Sequence, residues 1–400
     1  MPRQVEIHHL DVGQGDSTLI VIKEMGPPIV LEKAVLIDAG LYNKGPEVVN
    51  YINNLGLAHV DLVIASHYDK DHFWGLRKVL VNTHARYNAT HVYDRGEAGQ
   101  VDHLGKVVGG RSDQYIDYLS KAGVRDAGKP PNYYVNTNPS RPNRRRPTTW
   151  ANTDLATPPV PAGWAGRPNV PGNGYWRASN WLPRQADILQ IPPNGPGDHP
   201  PTMVCIAANQ NVRQDDNGNT LFVFGGMAID DNPQSIGWLL RFNNFSYYTA
   251  GDLTIPQENQ AALYTGQVSA FKLSHHGADT STSQTFIDAI NPRVAVISCG
   301  YNNSYGHPTQ TIINRLQAKA SIQHYFLTSC GANNALLPGC SGTNQWTANT
   351  KSRVSGSQAP VHPGHVIIRI TEAQSLAATR QFSVRYYEDD LAGWATMNFL

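Results

Sequence analysis

Short runs dominated by aliphatic and β-branched residues alternate with polar turns through the first part of the chain. Residues 5–10 and 17–22 are two such runs, and Val12-Gly13-Gln14-Gly15-Asp16 between them has turn composition, so the pattern predicts two strands and a tight connection. Residues 34–38 read as a third strand closed by Ala39-Gly40, residues 47–54 as a helix, and residues 62–65 as a strand of the fully buried kind. That strand runs straight into His67-Tyr68-Asp69-Lys70-Asp71-His72, after which Trp74-Gly75-Leu76 leads into a helix. Strand, polar cluster, helix is the order of an α/β protein whose reactive groups sit at strand ends.

From about Glu97 the pattern weakens. Residues 113–122 have helical composition, but residues 129–201 are rich in Pro, Asn, Arg and Trp with no sustained period. Loops this long are functional or disordered. Trp150, Trp164, Trp176 and Trp181 can each bury a large area and argue for order. A single domain over residues 1–400 is therefore expected, with about 97–220 forming a loop-rich insertion over the active site. Regularity returns with strands at 221–224, 236–242 and 246–250, the last two a hairpin turned at Asn243-Asn244. A helix begun by Pro256, a strand at 270–274, a helix at 282–290, a strand at 294–298 and a helix at 309–318 follow. Strands near 324–327, 361–370 and 381–387 close the chain.

Composition narrows the class. Of 400 residues, 40% are hydrophobic and 16% charged, which suits a globular chain with a substantial core. The 35 Gly and 27 Pro amount to about 15% of the chain against roughly 12% on average, a surplus that favours long ordered loops. A net charge of +1 supplies no global field toward nucleic acid or anionic lipid, so polyanion affinity must come from local patches such as Arg141, Arg144, Arg145 and Arg146. The four cysteines, Cys205, Cys299, Cys330 and Cys340, lack thiolate zinc spacing. Cys330 and Cys340 flank a short loop and read as free thiols, with a local disulfide as the alternative. The N-terminus has no apolar leader and no apolar run approaches ~20 residues, so a cytoplasmic protein without a membrane span is expected.

The chemistry begins with residues 67–72, which hold two imidazoles and two carboxylates at the mouth of a buried strand. Carboxylates packed this closely repel one another, and a bound cation is the usual remedy. In an extended segment His67 and Asp69 share one side, while Asp71 and His72 turn toward a second point, so one loop can feed two metals. A solvated charged turn is the plain alternative. Three later clusters weigh against it: Thr249-Ala250-Gly251-Asp252, Ser274-His275-His276-Gly277 and Tyr305-Gly306-His307-Pro308 each follow an expected strand. Any one of them is satisfied by structural hydrogen bonds. Recurrence of acid and imidazole at strand ends points to a shared site.

Taken together, Leu10-Asp11-Val12-Gly13-Gln14-Gly15-Asp16-Ser17, Leu36-Ile37-Asp38-Ala39-Gly40, residues 66–72, 249–252, 273–277 and 300–308 resemble the metallo-β-lactamase superfamily. Within it they resemble the ComEC-like branch, the hydrolase domain of competence proteins. The resemblance covers residues 5–96 and 220–330 and implies a four-layer αββα sandwich. It implies that His67, Asp69, Asp71 and His72 ligate metal, that Asp252 bridges two ions, and that a further ligand comes from His275 or His276. Asp71, His276 and His307 are the candidate catalytic groups, His307 as proton donor, substrate contact or structural residue. Asp11, Asp16 and Asp38 are expected to hold the motif loops. The superfamily's commonest pattern, HxHxDH, has His where this chain has Asp69, and no His motif precedes Asp252. The oxygen-rich donor set suits Mn²⁺ as well as Zn²⁺.

Two divalent ions roughly 3.5–4 Å apart lower the pKa of water and hold hydroxide ready to attack, which suits phosphodiesters. The expected function is therefore binuclear metal-dependent phosphodiester hydrolysis, with DNA or RNA first among substrates. Trp150, Tyr133 and Tyr134 could stack on bases or form the insertion's own core. Hydrolysis of a phosphorylcholine ester, lactone or β-lactam keeps the site and changes the substrate. A binding protein without turnover is the non-enzymatic alternative. Oligomeric state is not legible.

Overall fold

The computed structural model describes residues 1–80, 91–94, 132–134, 187–225, 231–300, 303–329, 345–347, 364–388 and 393–400. Chain order gives the first six strands to one sheet: β1 (Arg3–His9), β2 (Thr18–Glu24), β3 (Val30–Ile37), β4 (Leu62–Ala65), β5 (His91–Asp94) and β6 (Asn132–Tyr134). The next nine make a second sheet. They are β7 (Thr202–Ala208), β8 (Asn211–Arg213), β9 (Thr220–Phe222), β10 (Gly237–Phe242), β11 (Phe245–Ala250), β12 (Ala270–Lys272), β13 (Val294–Ile297), β14 (His324–Leu327) and β15 (Gln345–Thr347). The last three, β16 (Val366–Thr371), β17 (Phe382–Glu388) and β18 (Gly393–Phe399), return to the first sheet beside β1.

Each sheet is antiparallel on one side and parallel on the other. Strands β3 to β6 run parallel, as do β11 to β15. Parallel neighbours require a crossover, and helices supply it. Helix α1 (Gly45–Asn54) links β3 to β4, and the short α2 (Lys70–Phe73) and α3 (Leu76–Val79) follow β4. Helices α4 (Ile255–Thr265), α5 (Gln284–Ile290) and α6 (Gln310–Ala318) link successive strands from β11 to β14, and α7 (Glu372–Leu376) sits between β16 and β17. Sequence chemistry sets their starts. Pro46 opens α1, and the side chains of Ser283 and Thr309 accept the Phe286 and Ile312 N–H groups.

Three apolar clusters define four layers. In β2, Ile20 and Ile22 point between the sheets with Val5, Ile7, Met203, Trp238 and Leu240. Leu19 and Val21 point the other way, onto Val48 and Ile52 of α1 and Leu76 and Val79 of α3. Burial on both faces explains why β2 reads as an unbroken apolar run. The second sheet repeats the arrangement, with Leu239, Tyr248 and Phe271 covered by Ala261, Phe286, Ile287, Ile313 and Leu316. The result is the expected αββα sandwich.

Strand β7 lies within the segment expected as a loop-rich insertion. Its sequence Met-Val-Cys-Ile-Ala-Ala is buried throughout and pairs with β10. Ile188, Leu189 and Ile191 just upstream join the core between the sheets. Buried Arg3 anchors the same stretch, with Nε 2.8 Å from Glu32, Nη1 2.5 Å from Asp198 and Nη2 donating to the Pro192 carbonyl at 3.1 Å. The expected helix at 113–122, the four Trp residues, the Arg141–Arg146 cluster and the Cys330 and Cys340 pair lie outside the described residues. Cys205 and Cys299 are buried. No helix among the described residues is long and apolar enough to cross a membrane.

Candidate metal centre

The reactive residues meet where parallel strands of both sheets end. All four residues of β4 are buried, so the chain emerges from between packed layers with Ser66 and His67 still inside. Asp69 has extended backbone and starts α2 without spending its carboxylate on a cap, and α2 turns His72 inward. From the other sheet, β11 delivers Asp252 through Gly251. A Cβ on Gly251 would lie 2.5 Å from Ser66 Oγ and 3.0 Å from His67 Nδ1, so only glycine lets the two strand ends approach this closely. Strand β12 is followed by His275 and His276, both at φ 52°.

Asp252 lies at the middle of the cluster. Its Oδ1 is 3.2 Å from His72 Nε2, and its Oδ2 is 3.7 Å from both His67 Nε2 and His275 Nε2. His276 Nε2 is 3.3 Å from Asp71 Oδ2 and 3.1 Å from His72 Nε2. Asp69 Oδ2 is 3.7 Å from His67 Nε2, with its side chain 52% exposed. His67, His72, Asp252 and His276 are buried. Among the described residues three groups that share His72 place their donor atoms within 4.8 Å of one another: His67, His72 and Asp252; Asp71, His72 and His276; and Asp16, Asp38 and His72.

The opposite nitrogen of each ring is already engaged. His72 Nδ1 lies 2.9 Å from Asp38 Oδ2, and His276 Nδ1 lies 2.9 Å from the Ser298 carbonyl. A carboxylate and a carbonyl only accept, so both Nδ1 atoms must carry the proton. His67 Nδ1 faces Ser66 Oγ at 3.0 Å and His275 Nδ1 faces Thr280 Oγ1 at 3.2 Å. All four Nε2 atoms are therefore turned toward the shared centre. Outer partners of this kind fix the tautomer of metal-binding imidazoles. In neutral His72 and His276 the Nε2 lone pairs would oppose each other at 3.1 Å, a repulsive contact unless positive charge lies between them.

The electrostatics agree. Burial works against charge on His72, yet the Asp252 and Asp38 carboxylates hold its pKa well above the ordinary value. Burial likewise opposes charge on His276, and Asp252 and Asp71 raise its pKa. Burial would raise the Asp252 pKa, but the four surrounding imidazoles hold it well below the usual carboxylate range. Buried His67 Nε2 and Asp252 Oδ1 have no hydrogen-bond partner. Buried acceptors crowded by carboxylates are what a divalent cation satisfies, so the donor set fits a metal.

A scaffold of buried polar residues holds the candidate ligands. Asp38, at φ 58°, accepts from Ser66 N–H at 2.8 Å and Ser66 Oγ–H at 2.6 Å, besides orienting His72. The Asp16 N–H donates to the Asp71 carbonyl at 3.0 Å, its carbonyl accepts from Gly40, and its carboxylate pairs with buried Lys272. Asp11 accepts the Gly13 N–H at 3.0 Å within its own turn. His307 flanks the cluster, its ring centre 5.3 Å from that of His275 and 6.3 Å from that of His276. Tyr133 and Tyr134 lie on β6 at the far edge of the first sheet. Ser66 is legible in sequence as the first residue of the 66–72 motif, whereas Lys272 and Ser298 act through contacts made only on folding.

Residues 10–109 match the family described as the metallo-beta-lactamase superfamily. Similar sequences include competence protein ComA of Neisseria gonorrhoeae, 38% identical over 93 residues, and ComE operon protein 3 of Bacillus subtilis, 33% identical over 92 residues. Each match covers 22% of this chain, and 14% and 12% of those proteins respectively. Recombination protein 2 of Haemophilus influenzae is 31% identical over 95 residues, 24% of this chain and 12% of that one. The chain thus matches only a small part of these relatives. Among solved structures, a metal-dependent hydrolase of the beta-lactamase superfamily aligns at TM-score 0.37 and 11% identity, covering 82% of this chain and 97% of that one.

Proposed function

We propose that the chain is a binuclear metal-dependent phosphodiesterase, with DNA or RNA first among its substrates. Asp71, His72 and His276 would hold one divalent ion and His67, Asp69 and His275 the other, with the Asp252 carboxylate available to both. Zn²⁺ and Mn²⁺ both suit this mixture of imidazole and carboxylate. The observation that carries the reading is the inward aim of four imidazole Nε2 atoms whose Nδ1 atoms are all engaged elsewhere. Kinship with proteins named for competence and recombination favours nucleic acid.

When bound, such an ion pair lowers the pKa of water and screens charge on a phosphoryl oxygen. The chain's own residues do the rest. Asp38, Ser66, Ser298 and Thr280 hold the rings in register. Exposed Asp69 and half-buried Asp71 mark the side from which substrate approaches, while His67, His72 and Asp252 stay shielded from bulk water. Burial and the neighbouring His275 and His276 pull the His307 pKa down to about 4, so the ring is neutral near pH 7. It offers an N–H to a substrate oxygen without adding charge. Incubating Mn²⁺- or Zn²⁺-loaded protein with single- and double-stranded DNA, RNA and bis-p-nitrophenyl phosphate tests the reading. Turnover of a phosphodiester that is lost with EDTA is expected, and no turnover of any of the four with either metal refutes it.

A further inference from the structure

The loop that carries His275 and His276 takes left-handed backbone at four positions. His275, His276 and Thr282 have φ of 52°, 52° and 50°, and Gly277 has φ 81°. Non-glycine residues pay for the left-handed region, and for β-branched Thr282 it is a genuine outlier. Conformations of this kind persist only where the surroundings dictate them. The surroundings here are Arg315 of α6, whose Nη1 donates to the Asp279, Ser281 and Thr282 carbonyls, and α4, which begins at Ile255 shortly after Asp252.

Glu258 in the first turns of α4 is completely buried. Its Oε1 accepts from Ser274 Oγ–H at 2.7 Å, and its Oε2 accepts the Thr282 N–H. One carboxylate thus grips the loop immediately before His275 and again at its strained far end. Two further bonds close the seam, Ile255 N–H to the Thr280 carbonyl at 3.0 Å and Ser281 Oγ–H to the Leu253 carbonyl at 2.6 Å. The segment after Asp252 and the segment carrying the histidine pair are stitched into one unit.

Resting on the metal-centre reading above, the geometry points to Glu258 as a positioning residue, a clamp that holds His275 and His276 at the metal without touching it. Burying a carboxylate is costly, and burial pushes its pKa up to about 7 despite the Ser274 and Thr282 hydrogen bonds. Packing alone would be served better by an apolar side chain. A group kept here against that cost is explained by the loop it holds.

The test is calorimetric titration of Mn²⁺ and Zn²⁺ into metal-free wild type, Glu258→Ala, Glu258→Gln and a core control on α1, Ile52→Ala, with melting temperatures measured alongside. Gln can accept from Thr282 N–H through Oε1 and donate to Ser274 Oγ through Nε2, so it preserves both grips. Glu258→Ala is expected to weaken metal binding about 10- to 100-fold, the scale of outer contacts to metal ligands. Glu258→Gln should stay within a few-fold of wild type, and Ile52→Ala should bind metal normally despite a lower melting temperature. Affinity in Glu258→Ala no weaker than in the core control, or Gln as damaging as Ala, overturns the clamp. Because affinity is read without substrate, loss of the phosphodiesterase reading leaves the clamp testable. Wild type that binds no stoichiometric metal sinks both.

Discussion

Asp38 illustrates how much one side chain carries. It orients His72 directly and His67 through Ser66, since Ser66 Oγ lies between the Asp38 carboxylate and His67 Nδ1. Its φ of 58° is one that Asn tolerates better than most residues. Asp38→Asn therefore keeps the backbone while replacing an acceptor with an NH₂ group, and titration should show metal affinity reduced about 10- to 100-fold with little loss of melting temperature. Glu258 makes a different prediction. With a folded pKa of about 7 against an ordinary 4.5, the native state retains a proton that the unfolded chain has released between those values. The cost of burial is absent below pH 4.5, grows as pH rises, and is complete above pH 7. Denaturant melts from pH 4 to 8 should show metal-free wild type losing stability across this window relative to Glu258→Gln, on the order of 3 kcal/mol in all. Parallel profiles for the two proteins would show that Glu258 does not titrate there.

At the scale of elements, the sequence pattern located most strands and helices because each has a period or boundary of its own. The strand at 62–65 and the helix ending at Ala318 lie where the pattern puts them, the latter with Thr309 as its cap. The hairpin of β10 and β11 turns at Asn243, which has φ 51°. Strand β7 was missed because it follows a Pro- and Gly-rich stretch that hides where regular structure resumes. Strand β18 was missed for another reason: along Gly393–Phe399 its described side chains are exposed or half-buried until Phe399, leaving too weak a contrast to read. The candidate ligands were legible as types at strand ends. Their number per ion and the His275–His276 geometry were not, since left-handed backbone at two histidines is imposed by tertiary contacts. The approach of β4 and β11 gives the test at this scale. Gly251→Ala places a methyl group 2.5 Å from Ser66 Oγ, so Ser66 and His67 must retreat from Asp252. Metal titration should show at least a tenfold loss, and thermal melts a lower midpoint; wild-type affinity would mean that the strand ends are not held at this spacing.

For the whole molecule, the proposed donor set is divided between two sheets whose facing sides are packed with apolar side chains. His67, Asp69, Asp71 and His72 come from the loop after β4 in the first sheet, and Asp252, His275 and His276 from the ends of β11 and β12 in the second. A cation held by both groups ties one half of the sandwich to the other, so it binds the folded chain and not the separated segments. Ligands selective for the native state stabilise it by mass action, by about 2.7 kcal/mol at a concentration of 100 Kd for one site. The melting temperature should therefore rise with added Mn²⁺ or Zn²⁺, fall with EDTA, and depend on free metal concentration. Asp252→Ala removes the carboxylate shared between the sheets while relieving the crowding of negative charge. It should leave a folded protein whose melting temperature no longer responds to metal. A thermal response as large as that of wild type in Asp252→Ala would show that the stabilising ions bind somewhere other than the junction of the two sheets.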